Sequence, residues 1–265
     1  MHLSHRILLA SLLTACLAAQ PPKLDRAILE PVNASTPEDP AVSQTLAPYA
    51  AIIQREFSQV LVQAPARIPR GKLGEENLLG YWVSDQMRAR AARSLGQPVA
   101  FAYINSGGLR NDLRAGEVRV QDIFELMPFD NELVVVEFTG RELLRLLREG
   151  LIKKAGEPCS GVLVTLQGTP EHPDLSATWA QGGPLDPEAT VLVATTDYMV
   201  ASGDGLPTRG KSTRVTPTGL QIRQILLEAC TELGQRREPL PCPSPGRYTF
   251  GPGMLDALLE RRIAW

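Results

Sequence analysis

Short apolar runs alternate along this chain with polar, glycine- or proline-bearing breaks, and the breaks collect the residues that can do chemistry. Residues 99–104 (VAFAYI) are apolar and rich in β-formers until Gly107 and Gly108 interrupt them. A second such run covers 134–138 and a third covers 191–194, and each predicts a buried strand. Apolar residues at helical spacing over 46–61 predict a packing helix. Residues 77–95 predict another, with Trp82, Val83 and Met87 near one face. Thr139 and Glu142 have capping-box spacing ahead of Leu143, Leu144, Leu146 and Leu147, and Gly150 marks the stop, so a helix follows the 134–138 strand directly. A further helix is predicted over 218–233. Helices alternating with short strands predict a mixed α/β (α+β) domain, single and compact, with helices packed on mixed sheets.

The polar residues begin where the predicted strands end. Asn105, Arg110 and Phe129 fall on connecting segments, where binding residues concentrate. The glycine pair lets backbone approach a ligand or take φ > 0, and the arginine just after it can fork onto phosphate or carboxylate. A tight turn with a surface arginine is the plainer alternative. The third strand runs in the same way into Thr195, Thr196, Asp197 and Tyr198, and on to Asp204 in a Ser-Gly-Asp-Gly turn.

Taken together, Asn-Ser-Gly-Gly-Leu-Arg at 105–110, Met-Pro-Phe at 127–129 and the stretch 196–205 (TDYMVASGDG) resemble, in order and spacing, the C-terminal domain of the 5'-nucleotidase family. The resemblance covers about residues 45–210. It implies that Phe129 and Tyr198 are the two walls of an aromatic clamp on a nucleobase, with Tyr198 standing where the family commonly has phenylalanine. It implies that Asp204 accepts hydrogen bonds from ribose hydroxyls, and that Asn105 and Arg110, with Gly107 and Gly108, face the phosphate end. Members also carry a phosphate-contacting arginine a few residues before a Glu-Ser/Thr-x-x-Gly-Asn stretch. Here the alignment puts Leu73 at that arginine and Tyr81 at the asparagine, so Arg70 or Lys72 is left to supply the charge.

The family's hydrolytic half is a separate metallophosphatase domain with two metal ions held by histidines and aspartates. This chain has three histidines, of which His2 and His5 lie in the leader. His172, between prolines, reads as a solvated loop residue. No metal site and no cofactor is therefore expected in the chain itself, divalent metals belonging to a partner metallophosphatase. A net charge of −2, without a basic stripe interleaved with aromatics, argues against long nucleic acid as a ligand. With 265 residues, 43% hydrophobic and 21% charged, the chain can bury one sizeable core, and no apolar run reaches the roughly 20 residues of a membrane span.

The first residues read as an export signal, with the apolar stretch 7–15 ahead of Leu13-Thr14-Ala15-Cys16, a lipobox-like sequence. Residues 1–15 are then a lipoprotein signal peptide, Cys16 the acylated residue and membrane anchor, 16–44 a tether and 45–265 the domain. An ordinary leader cut near Ala18 or Ala19 is the alternative. Either places the protein in a bacterial cell envelope. Cys159, Cys230 and Cys242 remain, and a short Cys230–Cys242 bridge is favoured. Two functions stay open. One is the nucleotide-binding half of an exported nucleotidase whose metallophosphatase is encoded separately; the other is a stand-alone nucleotide- or nucleoside-binding lipoprotein.

Overall fold

The computed structural model describes residues 30–202 and 214–265. The chain divides into two units, ending and beginning at Tyr49 and Ala50. In the first, the described residues form a turn and then the start of helix α1, Pro40–Phe57, where the Asp39 carboxylate accepts from the Ala41 N–H (2.8 Å). The expected tether thus turns helical at Pro40. No residue of α1 is buried, so this helix is not the packing element that its periodicity suggested. It also ends earlier than expected, because Val60 and Leu61 belong to strand β1, Val60–Ala64.

The second unit is built on a five-stranded sheet. Its strands are β2 (Phe101–Tyr103), β4 (Glu132–Thr139), β5 (Cys159–Ser160), β8 (Thr190–Thr196) and β9 (Val215–Gln221), in the order β5-β2-β8-β4-β9. β2 and β8 are parallel; every other neighbouring pair in this sheet is antiparallel. The central strands read as near-continuous apolar runs because the sheet is covered on both faces. Ala102, Ile104, Leu133, Val135 and Ala194 point into one core, whereas Phe101, Tyr103, Val136, Phe138, Val191 and Val193 point into the other.

Helices α2 (Leu78–Leu95) and α6 (Ile222–Gln235) close the first core, together with the antiparallel pair of β1 and β3 (Gly116–Arg119) and the short α3 (Val120–Leu126). Asn77 caps α2, its side chain accepting from the Gly80 N–H (2.7 Å), in agreement with the predicted start. The second core is closed by α4 (Gly140–Lys154), by α7 (Met254–Leu259) and by a three-stranded sheet ordered β10-β6-β7. In that sheet β6 (Val162–Thr169) and β7 (His172–Trp179) form a hairpin, and β10 (Tyr248–Phe250) adds parallel to β6.

The capping box at Thr139 and Glu142 forms as read, the Glu142 carboxylate accepting from the Thr139 N–H (2.9 Å). The helix predicted over 218–233 starts four residues later, because residues up to Gln221 pair with β4. His172 is exposed but stands at the start of β7 rather than in a loop. Cys159, Cys230 and Cys242 are free thiols. The favoured Cys230–Cys242 bridge is therefore corrected: Cys230 faces the first core from α6, and Cys242 is exposed on the segment that follows. Cys16 lies outside the described residues.

Candidate functional site

The parallel alignment of β2 with β8 places their C-terminal ends at one edge of the sheet, and antiparallel β4 begins at that same edge, with Leu133 opposite Thr196. Three connections therefore meet there. β2 runs into a 3-10 turn, Ser106–Gly108; the segment 127–131 leads from α3 into β4; and β8 runs into the short helix α5, Asp197–Ser202. Together they line a cleft of about 280 Å³ formed by Asn105, Gly107, Gly108, Arg110, Phe129, Asn131 and Tyr198.

Phe129 and Tyr198 are large aromatics left 44% and 42% exposed, and both line this cleft. Asn105 is 8% exposed, and its side-chain Oδ1 is a buried acceptor without a hydrogen-bond partner. An orphaned buried acceptor costs about 1–3 kcal/mol, which a donor on a ligand would recover. Gly107 and Gly108 have no positive φ, so the freedom they supply is space. A Cβ on Gly108 would stand 3.3 Å from Asn105 Oδ1, while one on Gly107 would meet only ordinary contact at 3.7 Å. The Arg110 guanidinium folds back to donate to the Gly107 carbonyl (3.2 Å), and its backbone N–H donates to Leu126 (2.8 Å).

Each connection is tied to its neighbours. The Asp197 carboxylate accepts from the N–H groups of Tyr198 (2.7 Å) and Glu132 (3.0 Å), joining the start of α5 to the start of β4. The Thr196 hydroxyl accepts from the Met199 N–H (3.1 Å), and buried Met199 anchors α5 in the second core. Arg223, on α6, donates to the Met127 carbonyl (3.2 Å), pairs with Asp130 and stands 4.5 Å over the Phe124 ring, which fixes the segment carrying Phe129. Glu157 reaches the glycine turn from the loop after α4, its carboxylate accepting from the Ser106 N–H (2.7 Å).

Of the residues expected from sequence, the fold brings together Asn105, Gly107, Gly108, Arg110, Phe129 and Tyr198. Arg70 is not in this cleft. Its guanidinium donates to the Arg110 carbonyl (2.9 Å), but it lines a neighbouring cavity on the Ser106 side of the turn. Asp204 lies outside the described residues. Asn131, Arg223 and Glu157 were not singled out; for Asn131 the signal was its place two residues beyond Phe129, whereas Arg223 and Glu157 carry none.

Behind Arg70, the Asp112 carboxylate accepts from the Arg70 N–H (2.9 Å) and pairs with Arg67. Desolvation works to raise the Asp112 pKa, but the Arg70 N–H and the Arg67 guanidinium outweigh it and hold the carboxyl below its usual range. Tyr81 is buried, donates to Glu76 (2.6 Å) and lies 4.5 Å beneath Arg247. Burial, then the Glu76 contact, pushes its pKa far above the ordinary phenol value, so it serves as a neutral packing residue. Among the described residues no three His, Cys, Asp or Glu side chains gather as metal ligands.

The 3-10 turn after β2 thus stands beside the β8–α5 turn that carries Tyr198, on a sheet covered on both faces. The family model described as 5'-nucleotidase, C-terminal domain, matches residues 58–211, more than half of the chain, and the chain belongs to this family. It is 27% identical over 199 residues to a 5'-nucleotidase of Vibrio vulnificus, an alignment covering 74% of this chain and 35% of that protein. It is 27% identical over 172 residues to the protein UshA of Yersinia enterocolitica, covering 64% and 30%. The chain thus spans about a third of these relatives' length. Among solved structures, a 5'-nucleotidase precursor from Thermus thermophilus superposes with a TM-score of 0.66 at 25% identity, over 82% of this chain and 44% of that one. The NAD nucleotidase of Haemophilus influenzae shares the fold, with a TM-score of 0.61 at 17% identity over 80% and 41%.

Proposed function

We propose that this domain binds a nucleoside or nucleotide, holding the base between Phe129 and Tyr198 for phosphate-ester hydrolysis by a separate metallophosphatase. The observation that carries this reading is the pair of half-exposed aromatic rings lining one cleft with a buried, unpartnered Asn105 acceptor. Half-burying two large rings beside a polar anchor leaves apolar surface that a flat heterocycle covers. Arg110 faces the phosphate end as a planar fork of donors, and Asp204 takes the ribose. Relatives named 5'-nucleotidase support phosphate-ester chemistry for the complete system, and the partner supplies the metals.

Calorimetry with adenosine and AMP tests the clamp. Phe129→Ala and Tyr198→Ala should each weaken binding by about 1–3 kcal/mol, the worth of one stacked base. Well-folded protein that gives no heat with any nucleoside or nucleotide would end this reading.

A second reading, a stand-alone nucleoside-binding lipoprotein, is favoured by the position of Arg70. With that residue lining a different cavity, Arg110 is the one cation lining the aromatic cleft among the described residues. Equal affinity for adenosine and AMP, with no turnover in any partner's presence, would select it. Export to the cell envelope rests on the leader sequence. Acylation at Cys16 would be seen as incorporation of a palmitate analogue that Cys16→Ser abolishes, and an unlabelled mature N-terminus at Leu17 or beyond would exclude it.

A further inference from the structure

The backbone on either side of Asn105 is gripped by two consecutive residues from a distant part of the chain. Strand β5 pairs antiparallel with β2, setting Tyr103 opposite Cys159. The ladder runs one residue past the strands, where the Ile104 N–H donates to the Pro158 carbonyl (3.1 Å). The same register would set Asn105 opposite Glu157, but the chain turns there into Ser106–Gly108. The Glu157 side chain takes over from its backbone, and its carboxylate accepts from the Ser106 N–H (2.7 Å). Asn105 therefore stands between two residues that are both held from 157–158. The turn itself is closed by the Gly108 N–H on the Asn105 carbonyl (3.1 Å) and the Leu109 N–H on the Ser106 carbonyl (3.2 Å). A single 3-10 turn of this length is too short to fix its own direction.

Glu157 is in turn fixed from two sides. The Tyr248 hydroxyl, on β10, donates to its carbonyl (2.6 Å). Gly156, the residue before it, lies against the Tyr248 ring, since a Cβ there would stand 3.1 Å from three ring carbons, and its N–H donates to the Gly150 carbonyl of α4 (3.2 Å). Glu157 is only 7% exposed, and a carboxylate is costly to bury unless hydrogen bonds compensate it. Packing alone is met by an apolar side chain. What the carboxylate adds is an acceptor for the turn, and the turn carries Asn105, the buried acceptor of the aromatic cleft. Neither Glu157 nor Tyr248 is among the described residues that line that cleft, so their effect on a ligand there passes through the turn.

We infer that Glu157 is a positioning residue for the aromatic cleft, holding the glycine turn so that Asn105 offers its buried acceptor to the ligand, and that Tyr248 acts on the ligand through Glu157. This rests on the base-binding reading above. Three substitutions take the arrangement apart. Glu157→Ala removes the acceptor and strands the Ser106 N–H, whereas Glu157→Gln keeps an acceptor of the same reach. Tyr248→Phe keeps the ring on Gly156 and removes only the hydroxyl.

The test is calorimetry with adenosine, together with amide hydrogen exchange, on wild type, these three variants and the double variant Glu157→Ala/Tyr248→Phe. Glu157→Ala should weaken adenosine binding about tenfold, the equivalent of one hydrogen bond to a charged group. It should also speed exchange over residues 106–109 while the amides of β4 keep their wild-type protection. Glu157→Gln should recover most of both losses. Tyr248→Phe should weaken binding about threefold, and the double variant should bind no more weakly than Glu157→Ala, because the hydroxyl acts through Glu157. Adenosine affinity within about twofold of wild type for folded Glu157→Ala overturns the inference, as does a glutamine variant as weak as the alanine one or an additive double variant. Exchange that quickens equally in β4 also overturns it, since Glu157 then supports the whole fold and not the turn. Absence of adenosine binding in wild type would instead strike the base-binding reading, and exchange over 106–109 would still uphold or overturn the hold of Glu157 on the turn.

Discussion

Arg223→Met should separate the anchoring of the Phe129 segment from surface ion pairing. The Arg223 side chain is 13% exposed, whereas its ionic partner Asp130 is 70% exposed, so the ion pair itself contributes no more than about 1 kcal/mol. The larger loss is at the Met127 carbonyl, which belongs to a fully buried residue and would lose a charged donor 3.2 Å away, at a cost of about 1.5–3 kcal/mol. Removing the guanidinium from the Phe124 face costs about 0.5–1 kcal/mol more. The contributions overlap, because one group makes all three contacts. A total of about 2–4 kcal/mol follows for Arg223→Met, against less than about 1 kcal/mol for Asp130→Asn. Urea unfolding measures both as shifts of the midpoint at unchanged slope. Nucleoside affinity should fall with Arg223→Met and hold with Asp130→Asn, because only the first frees the segment bearing Phe129. Equal destabilisation by the two substitutions, or a loss below about 0.5 kcal/mol for Arg223→Met, would refute the carbonyl anchor.

Gly140→Ala should be among the most damaging single-methyl changes, since its Cβ would stand 2.1 Å from the backbone oxygen of Asp186; a loss of more than about 2 kcal/mol in thermal or urea unfolding is expected, within the range for overpacking. Burial pushes the Cys159 thiol up to about 11 and the Cys230 thiol up to about 12, so at neutral pH a thiol reagent should label exposed Cys242 alone among these three in native protein, as peptide mass mapping would show. Asp112 titrates lower in the folded state than unfolded, so its contribution is complete above the ordinary aspartate value of about 3.9 and is lost as pH falls from there through the lowered folded value; the stability gap between wild type and Asp112→Asn should close over that acid window and stay constant above it.

What the sequence makes legible here follows from how local each signal is. The runs over 134–138 and 191–194 read as buried strands because both faces of β4 and β8 are covered, and the start of α4 reads cleanly because its capping box is local, whereas Gly150, read as the stop, is buried inside the helix, which runs on to Lys154 and ends at Ala155 in the left-handed region. Helix α1 shows the converse. Its periodic apolar residues, Leu46, Ile52 and Ile53 among them, are about half exposed, so the pattern gave the element and not its burial. Residues 218–221, the second half of strand β9, fell inside a predicted helix because Val215–Gln221 alternates only between exposed and half-buried positions, a weak contrast, and pairing with β4 decides it. The hairpin of β6 and β7 likewise depends on a full ladder between two runs with little apolar contrast along β7.

The site divides along the same line. Residues on its surface were legible, because Asn105, Arg110, Phe129 and Tyr198 stand beside glycines, prolines and strand ends that mark connections. The residues that hold them in place were not. Glu157 is 51 positions from the Ser106 N–H it accepts from, and Arg223 is 96 from the Met127 carbonyl it donates to. A glutamate after a helix and an arginine in a helix are ordinary residues until the sheet order is known. That order is also what makes one site of three separate connections. Parallel pairing of Phe101 with Val193, and antiparallel pairing of Leu133 with Thr196, put the ends of β2 and β8 and the start of β4 on the same edge. Slipping β8 by one residue would turn Val191 and Val193 toward the first core and Leu192 and Ala194 toward the second, and would carry Tyr198 out of line with Phe129. The two buried faces therefore fix the register, and the register fixes where Tyr198 stands relative to Phe129 across the cleft. Packing of the sheet and the shape of the cleft thus depend on the same side chains.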